Sequence, residues 1–226
     1  MKQPLVVSFH TSGRARSYAP TYFRMCAGSL VIYRHCVAKL NDLDHMDRRY
    51  DQIYTETEEA SVAPVVYAGM CLEATLYDMA ACLFGDEFGE HINKLDPLAK
   101  FCVIAQLVDR RAPKKDSVTA QHIQAVVSAR NKLVHFKSQS GFEGPEKIIG
   151  RARKLHDEHM RGIEASFRSL VLLSLYFDGN IFEKLRIIPS FKKPEYWVKT
   201  VPNELKADVE WCVDASRKEF RRARKK

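Results

Sequence analysis

Apolar residues between positions 62 and 83 recur at spacings of three and four, and this long stripe constrains the fold more than any other feature. A repeat of 3.6 residues places such a stripe on one side of an α-helix, where it can be buried. The sequence therefore predicts a long helix that ends near Phe84 and Gly85, since glycine readily ends a helix. Its start is left open, because the charged segment 47–59 is either a solvated extension or a separate turn. The stripe consists of Val62, Val65, Val66, Gly69, Leu72, Leu76, Met79 and Leu83.

Helical spacing also dominates the rest of the chain. Ser117 or Thr119 can cap a helix that carries apolar residues as far as Val134. The segments 1–19 and 187–202 contain prolines and are predicted to be irregular. Further helices are predicted at 21–40, at 98–108, at about 147–177 and from about 203 onwards.

Four consecutive helices between about 50 and 183, joined by short polar loops, describe a helical bundle. We therefore predict an all-α fold, an up-and-down bundle with helical extensions at both ends. The predicted domains are an N-terminal arm and helix at 1–45, the bundle at 46–183, and a C-terminal connection, helix and basic tail at 184–226.

The net charge of +8 is concentrated at the C-terminus. Residues 217–226 carry seven basic groups and one acid, a net of +6, so the rest of the chain has only +2. A basic tail suits a polyanion such as RNA. The alternative is a solvated end that keeps the protein soluble.

Composition predicts a soluble cytoplasmic protein. The chain is 46% hydrophobic and 28% charged, which is ordinary for a globular domain. Its six cysteines contain no Cys-x-x-Cys pair, so we interpret them as reduced core residues and expect no zinc, other metal or cofactor. The short apolar patch at 4–9 is too short for a signal peptide, and no membrane association is predicted.

The segment from Arg130 to His135 contains the side chains best suited to catalysis. Arginine holds a planar fork of donors that fits phosphate oxygens, and imidazole moves protons near pH 7. Asn131 and His135 are four residues apart and share a helix face. These groups are a minimal set for cutting RNA without a metal. The alternative is a packed helix end with an exposed histidine.

A second arginine–histidine pair with the same spacing occurs at Arg151 and His156, and Arg153 and His159 are one residue further apart. The surrounding stretch 150–159 is highly charged, so we interpret it as the solvated face of an exposed helix. Apolar residues flank Arg130 and His135 instead, which favours the first pair as the site.

The sequence from Ala129 to Phe136 resembles the signature of HEPN-domain proteins: arginine, a polar residue, a few more residues and histidine, near the end of the third bundle helix. The order of elements is similar too, with a long first helix over 57–84, a short second helix after 95–98, the motif helix and a long fourth helix at about 150–177. The resemblance covers about 130 residues and does not extend to 1–45 or 185–226.

This resemblance implies a metal-independent endoribonuclease, of the kind found in toxin, defence and RNA-processing systems, that acts as a homodimer with two motifs in one cleft. Carried over, the catalytic pair is Arg130 and His135, with Asn131 as the polar neighbour. One subgroup, paired with nucleotidyltransferase antitoxins, has a tyrosine two residues after the histidine. This chain has Lys137 there, so silencing by modification of that tyrosine is not expected.

The implied partners are RNA, a second copy of the chain, and an antitoxin or other regulatory protein. Glu73 lies beside the apolar stripe and is expected to orient an arginine or line the cleft. The alternative is a partly exposed helix glutamate or a structural ion pair. Two other functions stay open: a non-catalytic HEPN-like module that binds RNA, nucleotide or a partner protein, and a purely structural helical domain.

Overall fold

A computed structural model describes residues 17–109, 113–134, 145–177 and 187–224. These residues form eight α-helices and one short 3-10 turn and contain no strand, which confirms the predicted all-α class. The elements are α1 (Ala19–Asn41), α2 (Tyr50–Phe84), α3 (Asp86–Ile92), α4 (Pro97–Asp109), α5 (Val118–Val134), α6 (Pro145–Tyr176), α7 (Pro194–Trp197), the 3-10 turn (Asn203–Leu205) and α8 (Lys206–Arg224).

Helix α2 is the long helix that the apolar stripe predicts. It begins at Tyr50, so residues 50–59 of the charged segment extend this helix, whereas 47–49 form a turn before it. At its C-terminal end Gly85 adopts a φ of +97°, which side chains other than glycine rarely adopt, and its N–H donates to the Ala81 carbonyl. The chain then turns directly into α3, which the sequence did not predict.

The buried side chains of α1, α2, α4, α5, α6 and α8 form one hydrophobic cluster. Helix α1 packs along α2, and α5 packs along α6. Phe23 of α1 lies 5.6 Å from Phe167 of α6 and 6.0 Å from Phe191, measured between ring centroids. The cluster thus contains residues of all three predicted domains, and the domain boundaries stay a prediction.

Helices α5 and α6 approach each other closely where both carry small residues. A methyl group on Gly162 of α6 would overlap the Cβ of Ala129 on α5. Because α5 is pressed against α6 at Ala129, the next residue, Arg130, is directed elsewhere, towards α2.

Helix α8 continues through the basic tail as far as Arg224 and docks on the body at two points. Asp208, which is only 4% exposed, pairs with Arg34 of α1 and Arg168 of α6, each at 2.7 Å. Glu219 hydrogen-bonds to Ser117 and to the backbone at the start of α5, and burial raises its pKa. Residues 217–224 are therefore a docked helix end and not a separate arm.

Three cysteine thiols are fully buried in different helices. Cys26 lies on α1, Cys71 on α2 and Cys212 on α8, and each has no exposed surface. Burial raises the pKa of all three thiols, that of Cys71 to about 12. They are core residues, as their apolar neighbours in sequence predict.

One helix of the described residues, α2, is long and apolar enough to cross a membrane by length and composition alone. Half of the relevant window is buried inside the protein, as is usual for the core helix of a soluble protein. The length and composition of α2 therefore favour neither a membrane protein nor a soluble one.

Candidate functional site

The motif lies at the C-terminal end of α5. Asn131 belongs to the last turn of this helix, whose last residue is Val134, and Arg130 directly precedes that turn. Two residues singled out in the sequence, His135 and Lys137, lie outside the described residues. The structure therefore gives the surroundings of Arg130 and Asn131 and leaves the position of His135 a prediction.

Arg130 packs against α2, and its guanidinium group contacts two neighbouring side chains. Its Nη1 donates to Asn131 Oδ1 at 3.1 Å, and its Nη2 lies 3.7 Å from Glu73 Oε1. The arginine side chain is 26% exposed, so the guanidinium keeps contact with solvent. The ion pair of the 40% exposed Glu73 with this motif arginine agrees both with an arginine-orienting role and with a structural ion pair.

A buried lysine of α4 is affected by the negative charge of Glu73. Lys100 of α4 is 3% exposed, and its Nζ donates to Asn93 Oδ1 at 3.0 Å. Burial lowers the pKa of Lys100, and the negative charges of Glu73 and Asp96 act in the opposite direction. The sequence analysis missed this residue, since it lies inside an apolar helix and nothing local marks it.

An open groove of about 1830 Å³ runs between α4, α5 and the first half of α6. Asn131 and Lys132 of the motif line one side of it. Its wall also contains apolar side chains, Leu98, Cys102 and Leu155 among them. The charged lining residues are five cations and two carboxylates: Lys115, Lys132, Arg151, Lys154, Arg161, Asp96 and Glu158.

Lys132 is not available as an isolated cation, because its Nζ pairs with Glu158 Oε2 across the groove. Arg161 is bonded through its Nε to the Asp157 carbonyl at 3.3 Å. The groove is nevertheless positive, since its cations outnumber its carboxylates. A positive open groove beside an arginine and an amide is suited to a phosphate backbone.

The second arginine–histidine stretch lies closer to the motif than its sequence suggests. Arg151 and His156 are exposed, as the solvated-face interpretation predicts. However, Arg151 lines the groove, and His156 and His159 line a smaller pocket of about 270 Å³ together with Lys132 and other residues of α5.

His159 is half-buried and is bonded through Nε2 to Ser61 Oγ of α2 at 2.7 Å. Burial, followed by the neighbouring His156, lowers its pKa. The sequence contains one indication that His159 is partly buried. It is four residues before Ile163, so it lies on the buried side of α6.

Within the described residues, no three His, Cys, Asp or Glu side chains are grouped so that they could hold a metal ion. The groups near the described part of the motif that could take part in chemistry are the guanidinium of Arg130, the amide of Asn131, the cations of the groove and the imidazoles of His156 and His159.

Comparisons with protein-family models, with curated proteins and with solved structures found no match.

Proposed function

We propose that this protein is a metal-independent endoribonuclease of the HEPN type, a toxin or defence effector of the cytoplasm that cuts single-stranded or loop RNA. The observation that carries the proposal is the position of the motif: Arg130 is held at the end of α5, and Asn131 beside it opens into a groove lined by five cations and two carboxylates. The order of α2, α4, α5 and α6 supports the up-and-down bundle of that family, with α1 and α8 as extensions.

In the proposed reaction the 2′-oxygen of a ribose attacks the adjacent phosphorus and the bond from phosphorus to the 5′-oxygen breaks. The products are a 2′,3′-cyclic phosphate and a 5′-hydroxyl. One proton leaves the 2′-hydroxyl and one reaches the departing 5′-oxygen, so a base and an acid are needed. His135 fills one of these roles, and Arg130 stabilises the charge on the phosphate.

Asn131 links the described part of the site to His135. The two residues are four apart in sequence, the spacing of neighbours on one helix face. Asn131 already accepts a hydrogen bond from Arg130, so it is suited to orient the guanidinium, and its amide group can also orient the imidazole.

A homodimer would supply the second imidazole. One motif provides one histidine, whereas a two-fold axis brings two imidazoles and two guanidiniums to one phosphate. Two inactive variants, Arg130→Ala and His135→Ala, should then regain part of the activity when mixed and allowed to exchange subunits. A strict monomer at micromolar concentration would contradict the composite site.

The decisive experiment measures cleavage of an unstructured RNA in excess chelator. The wild-type protein should cut it, and Arg130→Ala or His135→Ala should lower the rate by about 10²-fold or more. His156→Ala is the matched control from the second arginine–histidine pair and should be near wild type. Cleavage that requires Mg²⁺, or that persists in both motif variants, would contradict the proposal.

A non-catalytic module that binds a partner protein is the second candidate, favoured by the apolar wall of the groove. Leu98, Cys102 and Leu155 offer a surface that a phosphate backbone does not need and that an antitoxin or other regulatory protein would cover. Absence of cleavage together with salt-insensitive binding of a protein partner would favour this candidate.

A further inference from the structure

We propose that Gly69 and Glu73 of α2 form a seat that sets the direction of the Arg130 guanidinium. Both are positioning residues, since neither needs to touch the RNA. The inference rests on the proposed function for its catalytic consequence, but the seat itself can be tested without any cleavage.

Gly69 provides the space for the arginine stem. A methyl group built on Gly69 would lie 3.2 Å from Arg130 Cγ, closer than side chains normally pack, and 3.6 Å from its Cβ, an ordinary contact distance. Glycine inside a helix costs about 1 kcal/mol relative to alanine. Because glycine has no side-chain carbon, the aliphatic part of the Arg130 side chain can pack directly against the backbone of α2 here.

Glu73 provides the charge one turn further along the same face of α2. Its Oε1 lies 3.7 Å from Arg130 Nη2, which is an ion-pair distance rather than a hydrogen bond. Asn131 Oδ1 holds the Nη1 end at 3.1 Å. Contact on both sides fixes the plane of the guanidinium, and an arginine with five N–H groups still has donors left for a phosphate.

Lys100 of α4 is affected by the charge of the same carboxylate. It is 3% exposed and donates to Asn93 Oδ1 at 3.0 Å, and the negative charges of Glu73 and Asp96 raise its pKa against the effect of burial. Removing the charge of Glu73 would therefore also act on a buried cation, so Glu73→Gln alone does not isolate the direction of Arg130.

Substitutions of Gly69 and Glu73 test the contributions of the two residues separately. Glu73→Gln removes a charge that both Arg130 and Lys100 use, so its effect combines position and stability. Gly69→Ala adds one methyl group against a flexible side chain, so it should move the arginine by a few tenths of an ångström with little effect on folding. Gly28→Ala of α1 is the matched control, because a methyl group there meets no atom within 4 Å.

In the cleavage assay, Gly69→Ala should lower kcat by about tenfold and leave KM within about twofold, because a displaced arginine loses contact in the transition state more than in the ground state. Gly28→Ala should match wild type. Loss of activity in Arg130→Ala with full activity in both Gly69→Ala and Glu73→Gln would overturn the seat and leave the proposed function standing.

A nuclear magnetic resonance measurement tests the seat even if the protein cuts no RNA. The side-chain Nε–Hε signal of Arg130 is assigned by its disappearance in Arg130→Lys. It should shift in Gly69→Ala and broaden or vanish in Glu73→Gln, while Gly28→Ala leaves it unchanged. An Arg130 signal that is the same in all three variants would overturn the proposal.

Discussion

At the scale of single residues, the contact between α5 and α6 depends on Gly162. A methyl group at this position would overlap Ala129, so Gly162→Ala should force the two helices apart. Overpacking of this kind destabilises a protein by about 1–3 kcal/mol. Urea denaturation would measure it as a lower midpoint than wild type.

The control for this prediction is Gly28→Ala, which has open space around it. It should raise the stability by about 0.5–1 kcal/mol, since alanine favours the helix more than glycine does. A Gly162→Ala variant as stable as Gly28→Ala would contradict the close packing of α5 on α6.

His159 makes stability depend on pH. Ser61 donates its hydroxyl hydrogen to the Glu58 carbonyl at 2.5 Å, so His159 Nε2 must donate to Ser61. Protonation would then add a hydrogen at Nδ1, which is buried and has no hydrogen-bond partner. The pKa of His159 in the folded protein is accordingly lowered from the model-compound value of 6.5.

A histidine whose folded pKa is lowered binds protons more readily in the unfolded chain. Its stability contribution is complete above pH 6.5 and decreases as the pH falls through that value. Melting temperatures between pH 7.5 and pH 5 should therefore drop less in His159→Gln than in wild type. Equal slopes would show that His159 does not contribute. His122, whose pKa is also lowered by burial, accounts for part of the remaining slope.

The sequence identified part of this site because the relevant signals are local. The pairing of Arg130 with Asn131 follows from adjacency, and a role for Glu73 could be expected from its place beside the apolar stripe. Gly69 was counted only as a member of that stripe, and Lys100 was passed over. Both roles depend on how α2, α4 and α5 cross, which no local pattern of one helix contains.

At the scale of elements, the long helices were predictable because each carries an apolar side of regular period. The predicted spans 21–40 and 98–108 lie within α1 and α4, and the predicted cap is confirmed by the bond from Ala120 N to Ser117 Oγ at 3.1 Å. The short helices α3 and α7 were not predicted. Seven and four residues are too few to show a helical period, so tertiary contacts decide them.

The attachment of α8 depends on Asp208. This carboxylate is buried between Arg34 and Arg168, and its removal would leave two cations without their partner. We expect Asp208→Asn to destabilise the protein by about 2–3 kcal/mol, below the range for a fully buried pair because both guanidiniums keep some solvent contact. Chemical denaturation would measure the change.

Asp214→Asn is the matched control on the same helix. Asp214 is 69% exposed and pairs with Arg217 at 3.6 Å, so its loss should change stability by about 0.5 kcal/mol or less. Similar effects of the two substitutions would contradict the assignment of Asp208 as the attachment point.

At the scale of the whole molecule, the positive charge of the C-terminus lies on a docked helix. Three of its cations are exposed: Arg217, Lys218 and Arg221. Glu219 contacts the start of α5, and the ring centroid of Phe220 lies 6.3 Å from that of Tyr176. Replacing the three cations with glutamine should weaken RNA binding and leave the melting temperature unchanged. The slope of the logarithm of the binding constant against the logarithm of the salt concentration should become shallower by up to about three, one for each cation removed. Filter binding at several salt concentrations would measure it.

Deletion of 217–226 is expected to behave differently. It removes these three cations, four further basic residues, Glu219 and Phe220, so it should lower the melting temperature and weaken RNA binding more than the triple substitution does. If the deletion and the triple substitution had the same melting temperature, the docking of this helix end would be refuted.

The three fully buried thiols, those of Cys26, Cys71 and Cys212, can report on local opening of the protein. A thiol reacts as the thiolate, and the raised pKa of these groups keeps them protonated as well as covered. Alkylation of Cys26 or Cys71 must therefore wait until α1 separates from α2, whereas Cys212 needs only the release of α8. The order in which an alkylating reagent modifies them reads out whether the C-terminal helix detaches before the rest of the protein unfolds.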